Sequence, residues 1–413
     1  MIVAYYRNVL AILAVAVFCT EWYNYQAQIY VVFGQPKHWI LGLSLLSLPL
    51  WLFKPRFKQD FLQVPLVLWC FGFTFVTLLW FIGSSQSEMA ERAGRGRLSD
   101  VLLMLSCLII FASPSAVRSA RWALVFVVLF GVALNIYEFF SPMTFSVVRG
   151  RSAGLYENPN LSGEALVLGM IFSVTVLPSL YRGPFLLLAG IGIFVTFSRG
   201  SIAAWFIAVT GLLFIVKGVR AKDLVWTFLL SLLVVGIVFL PKLDAILATM
   251  DRAGVINKNT EERLEWLTNP SGVSDDSGWS RMYVAQQAWK KFADHPWLGG
   301  GTGTMYEAFD IAPHNQYLSY MLDYGVVGAT IVPLLILALL WGARGETRRI
   351  GLVFGASILW LCFFTHTMLS YGHSLVLFAL LAAMVSTAPF LAPVATKATE
   401  AGEAALDKAV ARA

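Results

Sequence analysis

Apolar runs follow one another along almost the whole chain, and a helix needs roughly 20 such residues to cross a bilayer. They fall at 8–33, 38–53, 60–82, 98–113, 119–140, 161–180, 184–197, 200–217, 223–240, 314–341, 349–367 and 371–391. The first is the least regular, because Glu21, Asn24 and Gln26 interrupt it. Residues 1–18 are apolar but show no small-residue cleavage site, which predicts a retained first helix rather than a removed signal. One long hydrophilic excursion, 241–313, separates the ninth run from the tenth. Connections of this length are usually functional or disordered. Its second half has a pattern of its own. Trp279, Met282, Gln286, Trp289 and Phe292 recur at helical spacing and predict an amphipathic helix over 277–293. His295-Pro296 ends it, and Gly299, Gly300, Gly301 and Gly303 follow.

The expected fold is therefore all-α: a polytopic integral membrane protein of about 12 transmembrane helices with a large, partly helical outer loop. Helices 1–9 occupy 1–240, the loop 241–313 and helices 10–12 314–392, with a polar tail at 393–413. Composition agrees, at 58% hydrophobic and 13% charged residues and a mean hydropathy of +0.71. A soluble domain is closer to half apolar and a quarter charged. The formal charge of +6 could suggest nucleic acid, but most of the basic residues sit in short loops between apolar runs. Lys54, Arg56 and Lys58, Arg118 and Arg121, Arg182, Lys217, Arg220 and Lys222, and Arg344, Arg348 and Arg349 mark alternate loops as cytoplasmic. An even number of spans then places both termini in the cytoplasm and the long loop on the outer, periplasmic side. Cys19, Cys70, Cys107 and Cys362 lie inside apolar runs without paired spacing, and read as small buried side chains.

Candidate chemistry gathers at the outer ends of the runs. Residues 184–216 are apolar except around Ser198-Arg199-Gly200. One helix of that length would measure roughly 50 Å, against a hydrocarbon core of about 30 Å. A hairpin with a sunken turn resolves the mismatch and leaves Arg199 near the membrane boundary, where a charge usually serves function. Ser198 can cap the following helix, and arginine beside a helix N-terminus suits phosphate. The competing reading is an arginine that snorkels from a tight turn. Arg149 and Arg151 lie in a short outer loop, against the positive-inside trend, and Asn158-Pro159-Asn160 opens the next helix with Asn160 as a plausible cap. On the amphipathic helix Arg281 shares a face with Ala285 and Ala288, off the aromatic stripe. It roofs a cavity or meets solvent, and periodicity alone leans to solvent.

His314 is the sharpest candidate for acid–base work, at the start of the tenth run within Pro313-His314-Asn315. A helix N-terminus disfavours imidazolium and keeps the ring able to accept a proton. His295 looks more like a cap, His366 and His373 flank the last outer loop, and His38 reads as interfacial. Glu21 is a rival carboxylate base or ligand. Metal chemistry finds no support: there is no Asp-x-Asp element, and Asp275-Asp276 reads as a turn. The glycine cluster lacks the lysine-serine end of a phosphate-binding P-loop.

Taken in order, several short motifs resemble the O-antigen ligase family, which shares a core with O-antigen polymerases and bacterial protein O-oligosaccharyltransferases. They are Arg151-Ser152-Ala153-Gly154-Leu155-Tyr156-Glu157-Asn158-Pro159-Asn160, Thr196-Phe197-Ser198-Arg199-Gly200 and Ser280-Arg281-Met282. Ala288-Trp289, His295-Pro296-Trp297-Leu298-Gly299-Gly300-Gly301, His314-Asn315-Gln316-Tyr317-Leu318 and Asp323-Tyr324-Gly325-Val326-Val327-Gly328 follow. Together they cover roughly 150–330.

The resemblance implies metal-independent, inverting glycosyl transfer at the periplasmic face of a bacterial inner membrane, without a cofactor. The implied donor is a glycan on undecaprenyl diphosphate, and the implied acceptor is a sugar hydroxyl of lipid A–core. Membrane lipids are the other partners, and nucleic acid is not one. By matching position, Arg199 and Arg281 would hold the diphosphate, His314 would take the acceptor's proton, and Arg151 and Asn160 would shape the donor pocket. Arg149, Asn315, Tyr317 and His373 remain as candidate donor or acceptor contacts, while Arg92, Arg95 and Arg97 have no assigned role. The same donor with another acceptor would make the chain a polymerase or a protein oligosaccharyltransferase. A transporter of lipid-linked glycans would place polar sites near the midplane in repeated halves, and no such repeat is visible.

Overall fold

The computed structural model describes residues 2–29, 34–53, 57–156, 158–238, 276–309 and 312–387. Among these, regular structure is helical. Up to the middle of the chain the helices are α1 (Ile2–Phe18), α2 (Trp22–Ile29), α3 (Pro36–Ser47), α4 (Pro65–Ile82), α5 (Glu88–Ile110), α6 (Pro114–Phe140), α7 (Pro159–Ser173) and α8 (Ser179–Phe194). Then come α9 (Arg199–Gly211), α10 (Ala221–Val238), α11 (Asp276–Asp294), α12 (Thr304–Ala308), α13 (Gln316–Tyr324), α14 (Val326–Leu340), α15 (Gly345–Leu361) and α16 (Gly372–Thr387). The first part of the long loop and the terminal tail lie outside the described residues.

Two helices form the centre. Every residue of α16 is buried, and so is every residue of α7 except Asn160. α7 packs on α6, α8 and α9, and α16 packs on α5. α4 shows the opposite distribution, with Leu68, Phe71, Phe75, Leu78, Leu79 and Ile82 exposed. An apolar exposed face of this size is the surface that lipid covers. Among the described residues, four helices can cross a membrane by length and composition, or five if the bent α1–α2 pair counts as one span. The protein is thus a helical membrane protein, and among the described residues fewer segments than the predicted dozen are full-length, straight spans.

The departures from the predicted runs have local causes. The first run breaks by 49° between α1 and α2, where Glu21 has φ 57° and its buried carboxylate bonds Asn24 and His373. α5 begins well before the apolar run at 98, because Ser87 caps it by accepting from Ala90 N. It therefore carries Arg92, Arg95 and Arg97 in helix. The tenth run is two helices, α13 and α14, hinged at Gly325 with φ 62°. A Cβ there would stand 2.3 Å from Trp297 O, so only glycine fits. The amphipathic helix expected at 277–293 is present as α11, one residue longer at each end.

Arg97 supplies the largest polar anchor. It is buried and forms an ion pair with Asp323, a hydrogen bond to Tyr324 Oη and a cation–π contact 4.9 Å from the Tyr324 ring centroid. Asp323 also accepts from Met305 N through Oδ1 at 2.9 Å and from Gly303 N through Oδ2, the oxygen that meets Arg97, at 3.2 Å. The N–H groups of Gly300 and Gly301 bond Leu322 O and Asp323 O. The glycine cluster therefore spends its donors inside the fold and folds 299–305 against α13. Asp323→Ala should lower stability by about 3–5 kcal/mol, because it strands a buried guanidinium. The check is thermal unfolding in detergent, where an unchanged midpoint would rule out the anchor.

Candidate active-site cavity

A cavity of about 540 Å³ lies where α7, α9 and α13 begin and α15 ends, beneath α11. Asn160 and Glu164 of α7 face it, with Ser198, Arg199, Gly200 and Ser201 at the start of α9. Arg281 and Ala285 of α11 roof it, and Pro313, His314 and Asn315 lead in from the side. Trp360, Phe363 and Phe364 make an apolar wall. Residues from three helix N-termini thus line one space, and helix N-termini carry partial positive charge. With Arg199 and Arg281 added, the electrostatics favour an anion.

The turn that presents Arg199 is a hairpin turn, as expected between 184 and 216. α8 stops at Phe194 and α9 starts at Arg199, with Phe197 at φ 50° between them. Gly163 lets α9 approach α7: a Cβ on it would sit 2.6 Å from Ser201. Ser198 occupies the cap position of α9, but its hydroxyl pairs with Ser201 Oγ at 2.9 Å instead of capping a backbone N–H. Trp360 Nε1 donates to Gly200 O at 3.1 Å and ties the apolar wall to the same turn.

Arg151 stands behind the cavity rather than in its lining. Its Nε donates to Thr196 O and one terminal nitrogen donates to Asn160 Oδ1, each at 2.9 Å. It braces the hairpin turn against α7 and orients Asn160 towards the cavity. The cap of α7 is Asn158, whose Oδ1 accepts from Asn160 N at 2.9 Å, and Asn160 is not the cap expected from the sequence. The loop that carries Arg151 is organised by Glu138, a buried carboxylate accepting from Phe145, Ser146, Ala153 and Gly154 N–H groups. Arg149 is exposed and outside the lining.

Arg281 is on the cavity, so the roof reading holds over the solvent one. The same helix turns Ala288 into a small buried cluster with Met305 and Leu322, while Met282 joins the cavity lining and Trp279, Tyr283 and Trp289 are exposed. His314 has φ 43° and lies edge-on to His366, with ring centroids 5.3 Å apart. Burial, and next the positive charge of Arg281, lower the His314 pKa. Burial and then His314 push His366 down to about 4. Both rings are therefore neutral near pH 7. The expected direction for His314 is found, through burial and Arg281.

The remaining candidates divide. Asn315 lines the cavity, but its Oδ1 caps α13 by accepting from Leu318 N at 3.0 Å. Tyr317 is outside the lining and donates its hydroxyl to Leu359 O at 3.1 Å. His373 is buried away from the cavity and pairs through Nδ1 with Glu21 at 3.0 Å, which also removes Glu21 as a rival base in this cavity. His295 is exposed and outside this cavity's lining. Among the described residues no three His, Cys, Asp or Glu side chains gather as a metal site. Glu164 is the lining residue the sequence reading passed over. A lone carboxylate four residues after Asn160 in an apolar segment was the available signal.

Fold and site together define a helical membrane protein with a cationic cavity at one end of its bundle. A family model described as O-antigen ligase matches residues 184–333, and the match supports membership of the chain in that family. The matched segment includes Arg199, Arg281 and His314, whereas Arg151, Asn160 and Glu164 precede it. No curated protein matches the chain.

Proposed function

We propose that this cavity transfers a glycan from undecaprenyl diphosphate to a sugar hydroxyl of lipid A–core. The observation that carries the reading is the convergence of Arg199, Arg281 and a neutral, half-buried His314 on one space. In the step, His314 takes the proton of the acceptor hydroxyl and that oxygen attacks the anomeric carbon. The carbon's bond to the diphosphate oxygen breaks with inversion, and the electron pair leaves on the diphosphate. Arg199 and Arg281 face the negative charge as it develops, and preorganised charges of this kind account for much of the rate in such sites. A neutral imidazole is suited to deprotonating a hydroxyl near neutral pH. No metal enters the scheme, because two guanidinium groups and three helix N-termini already supply positive charge.

The basic loops at 54–58, 118–121, 217–222 and 344–349 support an orientation with those ends in the cytoplasm. α7, α9 and α13 then begin at the opposite, periplasmic side of the inner membrane, where a lipid-linked glycan and lipid A–core meet. The chain crosses about twelve times, with the shorter and interrupted helices completing the spans, and both termini are cytoplasmic.

The test is purified protein with undecaprenyl-diphosphate-linked glycan and lipid A–core, with and without EDTA, read by mass spectrometry of the lipid A product. Glycan-bearing lipid A in both arms is the expected result. Lengthening of the donor glycan instead would make the chain a polymerase with the same site. Donor binding without transfer to any hydroxyl would sink the enzyme reading and bring a transporter forward.

A further inference from the structure

Among the described residues Glu164 is the one carboxylate in the cavity lining. Its side chain is 2% exposed, yet it borders the cavity. Among the described residues no hydrogen bond or ion pair engages it. Buried polar groups are nearly always partnered, and a carboxyl that borders a cavity is placed to take a hydrogen-bond partner from a ligand. The phosphates cannot be that partner as simple anions, because a carboxylate beside them repels. Groups that offer N–H or O–H to a carboxyl can be, and on the proposed donor those belong to the sugar.

Position narrows the choice of sugar. Glu164 lies one helical turn below Asn160 on α7, towards the membrane interior from the α7 N-terminus. Its charged neighbour across the cavity is Arg281. Glu164 shares its wall of the cavity with Arg199, because the neighbouring Gly163 lies against Ser201 of α9. In an inverting transfer the base and the leaving group occupy opposite faces of the reacting ring. With His314 on the acceptor side, Glu164 falls on the side of the sugar that carries the diphosphate.

We infer that Glu164 is a specificity-determining residue that hydrogen-bonds a hydroxyl of the donor's first sugar, the one joined to diphosphate. The inference rests on the proposed donor but not on the acceptor. It holds whether the carboxyl accepts from a hydroxyl or donates to its oxygen. Arg199 and Arg281 then recognise the part common to every donor, and Glu164 reads the sugar.

The experiment is equilibrium binding in detergent, which needs no turnover. The probes are undecaprenyl diphosphate, its glucosyl form, and the 2-, 3-, 4- and 6-deoxyglucosyl forms. Wild-type protein should bind one deoxy form about 10- to 100-fold more weakly than the glucosyl form, the range for a buried group left unpaired. Glu164→Ala should weaken the glucosyl form by a similar factor, erase that discrimination, and leave undecaprenyl diphosphate itself unchanged. Glu164→Gln, which keeps shape and hydrogen-bonding capacity, should retain part of it and guards against loss of fold. Equal discrimination in wild type and Glu164→Ala would overturn the inference, as would weaker binding of undecaprenyl diphosphate in Glu164→Gln. Failure of the wild type to bind undecaprenyl diphosphate at all would instead remove the proposed donor, and the inference with it.

Discussion

His314→Ala should lower glycan transfer by about 10²- to 10⁴-fold, the range a positioned general base contributes, while the unfolding midpoint stays within a degree or two of wild type. The stability expectation follows from position: His314 is half-buried in a loop before α13, and the α13 cap is Asn315, which remains. The pH dependence is the sharper test. Burial and Arg281 both hold the imidazole below its ordinary value of 6.5. The acid limb of kcat/KM reports the free enzyme's base. It should therefore lie below pH 6.5, with activity lost as pH falls through the lowered pKa and flat across neutrality. Arg281→Ala removes one of the two causes, so the residual activity should show an acid limb moved upward. A limb that stays in place would mean that another group is titrating.

Arg199→Ala should reduce kcat/KM by about 10²- to 10³-fold, as losing one preorganised contact to a developing charge does. Arg199→Lys should recover only part of that, since an ammonium replaces a planar fork with a point charge. Direct binding of undecaprenyl diphosphate should weaken in both variants, more in the alanine. The hairpin should survive, because its turn is held by Arg151 on Thr196 O and by Trp360 on Gly200 O. Unchanged binding of the diphosphate lipid together with lost activity would move Arg199 from holding the leaving group to some other task.

Arg199 was legible in the sequence because a charge inside thirty-odd apolar residues has few neutral explanations, and helix length alone forced a turn there. His314 and Arg281 were visible as polar residues at an element's start and off an aromatic stripe. Periodicity could not say what lay opposite Arg281, since solvent and cavity give the same wheel. The supporting polar network was harder to see. Glu138, Asn135 and Arg97 each sit in an apolar or helical stretch, and their partners lie at 145–154, on α7 and α8, and on α13. Only three-dimensional packing identifies such pairs. The two cap assignments failed for a smaller reason: Asn158 and Asn160 are chemically alike, and Ser198 had a second hydroxyl within reach at Ser201. Helix continuity failed at Gly325 because a hinge of one glycine leaves the hydrophobic run on either side intact.

The bracing of Arg151 has a consequence for how the cavity is put together. It stitches the hairpin turn to α7, so Arg199, Asn160 and Glu164 belong to one wall. Arg281 and His314 belong to another, because α11 packs on α13 through Ala288, Met305 and Leu322. The seam between the walls runs through the space where the sugar would lie. Each wall keeps its own internal spacing, and the gap between Arg199 and the base is set by how the two halves are clasped. Substitutions far from the cavity that shift one half against the other would therefore alter the alignment of the reacting groups while leaving each half's contacts intact.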